Sequence, residues 1–293
     1  MAQPEGFAPD RLLSLEPRNA PVTSSGIREW LKAARPDAVF EATSLSVKDG
    51  QPAIDYIRES LQTGAHAITA NKGTIVHGYE ELEALAQKNG NRFLFESTVM
   101  DGAPIFSLFR ETMPAVRLNG IRGILNSTTN VILSDMESGM SFEESVKRTQ
   151  EMGLAETDPS HDVDGWDAAV KITALVRVLM KAPLKLDEVE RTGIRNLQAE
   201  NVRSARQNGK PYKLVCRAER DGSRVKARVR PEQISLSDPL ALVTGSSSIV
   251  QFETDIFPNL VITENDPGLE TTAYGMLADF ITAVVGRSSL VVG

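Results

Sequence analysis

Five carboxylates and a lysine lie close together in the sequence between Gly153 and Lys171. Asp167 and Lys171 are separated by one helical turn and would therefore share a helix face. Clustered like charges raise carboxylate pKa values and keep a neighbouring lysine protonated, so the group is suited to bind an ammonium ion and to move a proton. The five carboxylates in this stretch, named here the acidic segment, are Glu156, Asp158, Asp162, Asp164 and Asp167.

The acidic segment also fits a more ordinary structure. A loop rich in Gly, Pro and Asp followed by an i,i+4 Asp–Lys pair is typical of a capped, solvated helix start. Such an exposed pair contributes only about 0.3–0.5 kcal/mol. Residue types alone leave both interpretations open.

The acidic segment resembles the substrate-binding segment of homoserine dehydrogenases, G-[YLF]-A-E-x-D-P-x-x-D-[VL]-x-G-x-D-x-x-x-K, at every fixed position. Three shorter stretches, 69–72, 95–105 and 126–130, resemble segments of the same family in the same order. In the last of them Ser127 stands where the family has glycine. The resemblance extends over residues 36–285, and its longest segment is its most specific part.

The resemblance implies NAD(P)-dependent interconversion of L-homoserine and L-aspartate 4-semialdehyde, a step of threonine and methionine biosynthesis. Lys171 would be the general acid/base on the substrate oxygen, and Asp167 would hold it. Glu156 and Asp162 would bind the α-ammonium by charge-assisted contacts. Lys72 would neutralise the substrate carboxylate or orient the carbonyl.

Thr128 would donate to the substrate carboxylate, although Ser, Thr and Asn before an apolar run are equally typical of a helix N-cap. The implied cofactor is NADP or NAD. The residues on the cofactor side would be Thr43, Ser44, Lys72, Gly268 and Thr272.

The resemblance also implies a monovalent cation, Na+ or K+, at a loop of hard oxygen ligands. Its ligands would be the Glu96 side chain and the backbone carbonyls of Val99, Asp101 and Ala103. A tight turn whose carbonyls face water explains these residues equally well.

Two departures from the family affect the cofactor side. The chain contains no G-x-G-x-x-G, so the sequence predicts an N-terminally shortened nucleotide domain that lacks the first βαβ unit. The family's G-x-G-A-G loop falls on 264–268, where only Gly268 is retained and Glu264 and Asp266 would repel a phosphate or carboxylate. We also expect no C-terminal regulatory domain and hence no threonine inhibition through one.

These departures keep three hypotheses open. The first is an active homoserine dehydrogenase. The second is a catalytically inactive remnant that binds homoserine or pairs with an intact subunit. The third is a Schiff-base enzyme using Lys171 or Lys72, which borohydride trapping of substrate on the chain would favour.

The pattern of elements predicts an α/β chain. Apolar strands at Ala38–Ala42 and Ala67–Ala70 alternate with amphipathic helices, as in right-handed βαβ units. An α+β pattern follows from Pro104. We therefore predict an incomplete Rossmann-like parallel-sheet domain and an α+β substrate-binding and dimerisation domain. The proposed boundaries are 1–96 for the truncated dinucleotide-binding domain, 97–268 for the catalytic domain and 269–293 for a C-terminal helix returning to the nucleotide domain.

Periodicity, turn residues and caps predict the individual elements. The predicted helices include 27–34, 52–62, 80–88, 105–111, 128–136, 142–152, 165–179 and 270–285. A hairpin around Asp221-Gly222 joins predicted strands 212–219 and 224–230. Residues 1–25 are predicted to be irregular, with at most one short helix.

Composition narrows the function classes. The chain of 293 residues is 41% hydrophobic and 24% charged, which is typical of a globular protein. Its net charge of −7 disfavours a nucleic-acid or anionic-membrane partner. The single cysteine, Cys216, fits a reducing cytoplasm and is expected to be buried and inert. With three histidines a zinc site is improbable, and the family resemblance implies a homodimer.

Overall fold

The computed structural model describes residues 24–285, with side chains from Gly26 onward. The predicted irregular stretch 1–25 therefore lies almost wholly outside the described residues. Within this range the chain forms two compact units. The first comprises residues up to Phe95 and from Met276, and the second runs from Glu96 to Gly275.

The first unit is built around a three-stranded parallel sheet in the order β1-β2-β3. Its core consists of apolar side chains on the strands and helices, among them Ile57 and Ile68, both fully buried. This arrangement confirms the predicted α/β class. Its elements are α1 (Ser24–Ala34), β1 (Ala38–Glu41), α2 (Ala53–Gln62), β2 (His66–Thr69), α3 (Gly73–Asn89) and β3 (Phe93–Leu94).

Helix α3 begins seven residues earlier than predicted. Its first turns contain Gly73, Ile75, Val76 and Gly78, which have low intrinsic helix propensity. All four are buried, so tertiary packing overrides propensity. A Cβ added at Gly78 would lie 3.2 Å from Cδ1 of Ile54 on α2, so a larger residue at this helix contact would require the Ile54 side chain to shift.

The second unit contains a six-stranded sheet in the order β5-β7-β6-β4-β8-β9. Its pairs are antiparallel except for β5 with β7. The strands are β4 (Leu118–Ile124), β5 (Glu190–Arg191), β6 (Tyr212–Asp221), β7 (Arg224–Gln233), β8 (Ser248–Thr254) and β9 (Leu260–Glu264). The helices are α4 (Ser127–Glu137), α5 (Phe142–Glu151), α6 (Ser160–Val163), α7 (Trp166–Leu175) and α8 (Ala199–Gln207).

The hairpin of β6 and β7 confirms the prediction around Asp221-Gly222. One sheet face lies against α7, where the Sγ of Cys216 is 3.7 Å from the carbonyl of Ala168. The opposite face contributes Val215 to an apolar cluster with the turn that contains Leu240. Cys216 is buried as predicted, and burial raises the pKa of its thiol to about 12.

Other elements also differ from the predictions. Helix α8 was missed because only Val202 and Ala205 are buried on it, too few for a periodic apolar signal. The helix predicted at 105–111 includes a π-helical turn, Leu108–Thr112. Helix α7 ends at Leu175 and continues as a second π-helical turn, Val176–Met180.

Helix α9 (Leu269–Val285) belongs to both units. Its residues from Met276 onward are part of the first unit. There the ring of Phe280 lies 5.6 Å from that of Phe40 on β1, and Ala283 packs with Ile68 and Leu94.

Candidate active site

The acidic segment places Lys171 on α7 in a mostly buried position. Gly165 precedes the helix with φ +80, a conformation that favours glycine. A Cβ at Gly165 would also lie 3.3 Å from Cγ1 of Val229. The lysine and Asp167 side chains are only 14% and 13% exposed, and Nζ lies 3.5 Å from Oδ2 of Asp167. The pair is therefore not the solvated surface pair of the ordinary interpretation.

Lys171 is also held by the main chain. Its Nζ donates to the carbonyl oxygen of Leu125 at 2.7 Å, at the end of β4. An ammonium group has three N–H donors, so these two partners leave one N–H without a partner among the described residues. That remaining N–H can reach a substrate oxygen.

Asn126 joins two carboxylates of the acidic segment. Its Nδ2 donates to Oδ1 of Asp162 at 2.6 Å and to Oδ2 of Asp167 at 3.0 Å. Its Oδ1 accepts from the backbone N–H of Thr129 at 2.8 Å and caps α4. Asn126 is 5% exposed and both carboxylates are partly buried, so the amide joins them in one largely buried polar group.

Charge within this group alters two pKa values. Burial acts to lower the pKa of Lys171, but Asp167, Asp101 and Asp162 outweigh it, and the pKa is raised. Burial, with Asp167 nearby, raises the pKa of Asp162 against the opposing effects of Asn126 and Lys171. Lys171 is therefore an ammonium group at neutral pH, and three carboxylates surround it.

The other carboxylates of the acidic segment have different contacts. Asp158 accepts from the backbone N–H of Ser160 at 3.0 Å, at the start of α6. Asp164 accepts from Arg195 at 2.8 and 3.0 Å, and this hydrogen bonding holds the Asp164 pKa below its usual range. Glu156 is exposed, in the loop between α5 and α6. The structure thus brings Asp162 and Asp167 to Lys171, while Glu156 lies at the surface.

Thr128 is 5% exposed and donates its hydroxyl to the carbonyl of Leu154 at 2.9 Å. This contact ties the start of α4 to the start of the acidic segment. The N-cap of this helix is Asn126, so the N-cap interpretation of this stretch applies to Asn126. A role for Thr128 in binding the substrate carboxylate stays a prediction.

Glu264, at the end of β9, was interpreted from the sequence as a loop residue that repels anions. It is half-buried, and its Oε2 has no hydrogen-bond partner among the described residues. Burial and the nearby Asp101 raise the pKa of Glu264 to about 7, against the effect of Lys171. Sequence reasoning missed this coupling because the three residues are far apart in the chain.

The raised pKa predicts how Glu264 affects stability. The folded state holds a proton on Glu264 between the ordinary pKa of 4.5 and about 7, so its contribution to stability is lost as pH rises through this window. Glu264→Gln mimics the neutral acid and should lose less stability than the wild type between pH 5 and pH 8. Thermal denaturation of both proteins at the two pH values tests this, with exposed Glu253→Gln as the matched control. Equal losses in all three proteins would contradict the prediction.

Asp101 and Thr272 are in contact within the second unit. The Thr272 hydroxyl donates to Oδ1 of Asp101 at 3.2 Å. Asp101 adopts φ +42, and a Cβ at Gly102 would overlap with the carbonyl oxygen of Thr271. Gly268, also assigned to the cofactor side, is exposed before α9.

The predicted cation loop is held together by backbone hydrogen bonds. The Glu96 carboxylate, 4% exposed, accepts from the backbone N–H groups of Ile105, Phe106 and Ser107 at 2.6–2.7 Å. The carbonyl of Ala103 accepts from Ile105 at 2.8 Å. These bonds hold the loop together, and the cation site with Val99 and Asp101 stays a prediction. In residues 24–285 no cluster of three or more His, Cys, Asp or Glu side chains is arranged to bind a metal.

In the first unit, the remaining predicted residues follow the carboxyl ends of β1 and β2. Thr43 and Ser44 are exposed, and Lys72 precedes the first turn of α3. The amide of Asn71 ties the two strand ends together by donating to the carbonyls of Thr43 and Ser44 at 3.0 and 3.3 Å.

The buried carboxylate of Glu41 supports the same edge. It accepts from the N–H and hydroxyl of Thr43 at 2.7 and 2.5 Å and from the hydroxyl of Thr69 at 2.5 Å. These bonds connect the ends of β1 and β2 through one carboxylate. The residues that follow β1 thus include the exposed Thr43 and Ser44, and Lys72 follows the end of β2.

Comparisons with known proteins connect this geometry to a family. The family model described as homoserine dehydrogenase matches residues 104–281. The NAD(+)-dependent homoserine dehydrogenase of Pseudomonas canavaninivorans is 35% identical over 253 residues, which are 86% of this chain and 72% of that protein. This chain belongs to the homoserine dehydrogenase family.

Solved structures of the family agree with the fold. The homoserine dehydrogenase of Thiobacillus denitrificans has a TM-score of 0.78 at 32% identity, covering 84% of this chain and 57% of that one. A hyperthermophilic archaeal homoserine dehydrogenase in complex with NADPH has a TM-score of 0.76 at 28% identity, covering 90% and 76%. Within the described part of the chain, the helices are all too short or too polar to cross a membrane.

Proposed function

We propose that this chain catalyses the NAD(P)-dependent interconversion of L-homoserine and L-aspartate 4-semialdehyde, in threonine and methionine biosynthesis. The observation that carries the proposal is the buried Lys171, held by the Leu125 carbonyl and Asp167 with one N–H left for a substrate oxygen. Family membership supports the choice of reaction.

Lys171 would control the proton of the reacting oxygen. In the reductive direction its ammonium group donates a proton to the aldehyde oxygen as hydride reaches the carbonyl carbon. In the oxidative direction the neutral amine accepts the alcohol proton. Because the surrounding carboxylates raise the pKa of Lys171, homoserine oxidation should accelerate as pH rises, whereas reduction proceeds at neutral pH.

The excess of carboxylate over lysine favours a substrate that carries an ammonium group. Asp162 is the partly buried carboxylate that we assign to this contact, and a bound ammonium would favour its charged form against the effect of burial. Glu156, on the exposed loop, would close over the ammonium only if that loop moves. Lys72 and Thr128 remain the proposed contacts of the substrate carboxylate.

A nicotinamide dinucleotide supplies the hydride acceptor or donor. The residues of the first unit fit such a group, since Thr43 and Ser44 are exposed at the carboxyl end of the sheet, where ligands of parallel sheets bind. The Glu41 carboxylate at this edge is buried and hydrogen-bonded to Thr43 and Thr69. The relatives named above support NAD or NADP without selecting between them.

The Schiff-base hypothesis is disfavoured by the charge of Lys171. A nucleophilic lysine must be neutral, whereas the carboxylates keep this one protonated. The inactive-remnant hypothesis is separated from activity by the experiment below.

We further propose a cytoplasmic homodimer. The free, buried Cys216 supports a reducing compartment. The sheet face around Arg122, Arg217 and Glu253 carries both charge signs, which suits a two-fold contact between identical surfaces. The Nε of Arg217 is buried without a partner among the described residues. A monomer mass in sedimentation would contradict the dimer.

The test of the proposed function is reduction of NAD+ and NADP+ by the purified chain with homoserine. We expect turnover with homoserine and a loss of about 10- to 150-fold in kcat/KM with 4-hydroxybutanoate, because this analogue lacks the charge-assisted ammonium contact. Equal use of both alcohols would contradict the assignment of Asp162. No turnover by a folded chain that binds homoserine would favour the remnant.

A further inference from the structure

We propose that Asn126 is a positioning residue for the proton-transferring Lys171. Its amide group positions the carboxylates of Asp162 and Asp167, and through them the lysine. This inference deepens the proposed function and rests on it. It depends on the hydrogen bonds of a single buried side chain whose two ends face different partners.

The orientation of the amide follows from its neighbours. The Asn126 oxygen faces the backbone N–H of Thr129, which can only donate, while its nitrogen faces two carboxylates. A rotated amide would direct an acceptor at the carboxylate oxygens and a donor at the N–H, losing the contacts with both carboxylates and with the backbone N–H. An NH2 group has two N–H donors, so it can serve Asp162 and Asp167 at the same time.

The link to Lys171 passes through one atom. Oδ2 of Asp167 accepts from Asn126 at 3.0 Å and also lies 3.5 Å from Nζ of Lys171. The other partner of Nζ is the carbonyl of Leu125, the residue before Asn126. Residues 125 and 126 therefore restrain the lysine from two sides, once through main chain and once through side chain.

The cap gives this arrangement its rigidity. Asn126 is the N-cap of α4, so the position of its side chain is set by a helix. A displacement of the amide would shift both carboxylates, and shifts of about 1 Å in catalytic groups reduce rates by about 100-fold. The same side chain therefore caps the helix and positions the carboxylates of the site.

The substitution Asn126→Asp separates the two roles. Aspartate retains the oxygen that caps α4. It replaces the shared NH2 group by an oxygen of a third carboxylate, which faces Asp162 and Asp167. We expect kcat to fall about 10- to 100-fold and the alkaline rise of homoserine oxidation to move to higher pH, since added negative charge stabilises the Lys171 ammonium. A pH profile coincident with that of the wild type would overturn the proposal.

Asn126→Ser is the second variant, because serine also caps helices but cannot bridge the two carboxylates. It should lower kcat with a smaller displacement of the pH profile than Asn126→Asp. Ser141→Ala controls for loss of stability. Ser141 caps α5, away from the site, and its side chain accepts from the backbone N–H of Glu144. The substitution should leave kcat and the pH profile unchanged, and an equal effect of Ser141→Ala and Asn126→Ser on kcat would overturn the proposal.

A measurement without substrate distinguishes failure of this inference from failure of the proposed function. If the wild type shows no homoserine-dependent turnover, the proposed function fails. The Asn126 inference is then tested by carbon-13 NMR titration of the aspartate carboxyl groups in the wild type and Asn126→Ser. Altered titration of Asp162 and Asp167 in the variant supports it, and unaltered titration overturns it.

Discussion

Replacing Lys171 by methionine is expected to lower kcat for homoserine oxidation and for aspartate semialdehyde reduction by about 10²–10⁴-fold, the usual contribution of a general acid–base group. Methionine preserves the unbranched aliphatic stem that α7 buries, but it cannot exchange a proton. Steady-state kinetics in both directions measure the effect. Because the same residue serves donation and acceptance, both directions should lose activity.

The chain offers a matched control for this experiment. Lys147 also follows an i,i+4 arrangement, with Glu151 at 4.0 Å, but the two side chains are 78% and 67% exposed. Lys147→Met should leave kcat unchanged. General acid–base catalysis contributes at least about 100-fold to the rate. If the kcat of Lys171→Met stayed within a factor of about three of this control, Lys171 would therefore not be the proton-transfer group.

Replacing Glu96 by alanine is expected to destabilise the protein by about 3–5 kcal/mol, because several buried backbone donors would lose their acceptor at about 1–3 kcal/mol each. The donors are the N–H groups of Ile105, Phe106 and Ser107. Denaturant unfolding measures the change in the free energy of unfolding. The large value follows from burial, since Glu96 is only 4% exposed.

Glu144→Ala is the matched control for Glu96→Ala. The Glu144 carboxylate also accepts a backbone N–H, from Ser141 at 2.9 Å, but it does so at an exposed helix start, so its loss should be much smaller. The same measurement in Na+ and in K+ tests the cation site. If either ion raises the stability of the wild type, and this increase disappears in Glu96→Ala, the result would favour cation binding over the tight turn.

Local patterns predicted most elements of the fold. Strand periodicity and turn residues located β1, β2 and the β6–β7 hairpin because these signals are contained within a few residues. The same approach missed α8, which buries only two side chains, and the first turns of α3, where packing overrides propensity. Such elements depend on surfaces provided by other parts of the chain.

The catalytic candidates illustrate the same division. The spacing of Asp167 and Lys171 was sufficient to predict a shared helix face, and their contact is present. Sequence could not separate Asp162, which joins the buried group, from Glu156, which is exposed, because both carry the same charge within one segment. Their different surroundings arise from residues far away in the sequence, above all Asn126.

By itself, the sequence determined the family, the α/β class and the residue types available for proton transfer, because these are properties of composition, periodicity and a long specific segment. The tertiary structure alone decided which charges act together. It brought Leu125, Asn126, Asp101 and Glu264 to Lys171, and it occupied Glu96 and Glu41 with internal hydrogen bonds. The physical reason is that burial and electrostatic coupling depend on distances between side chains, and folding sets these distances between residues that are distant along the chain.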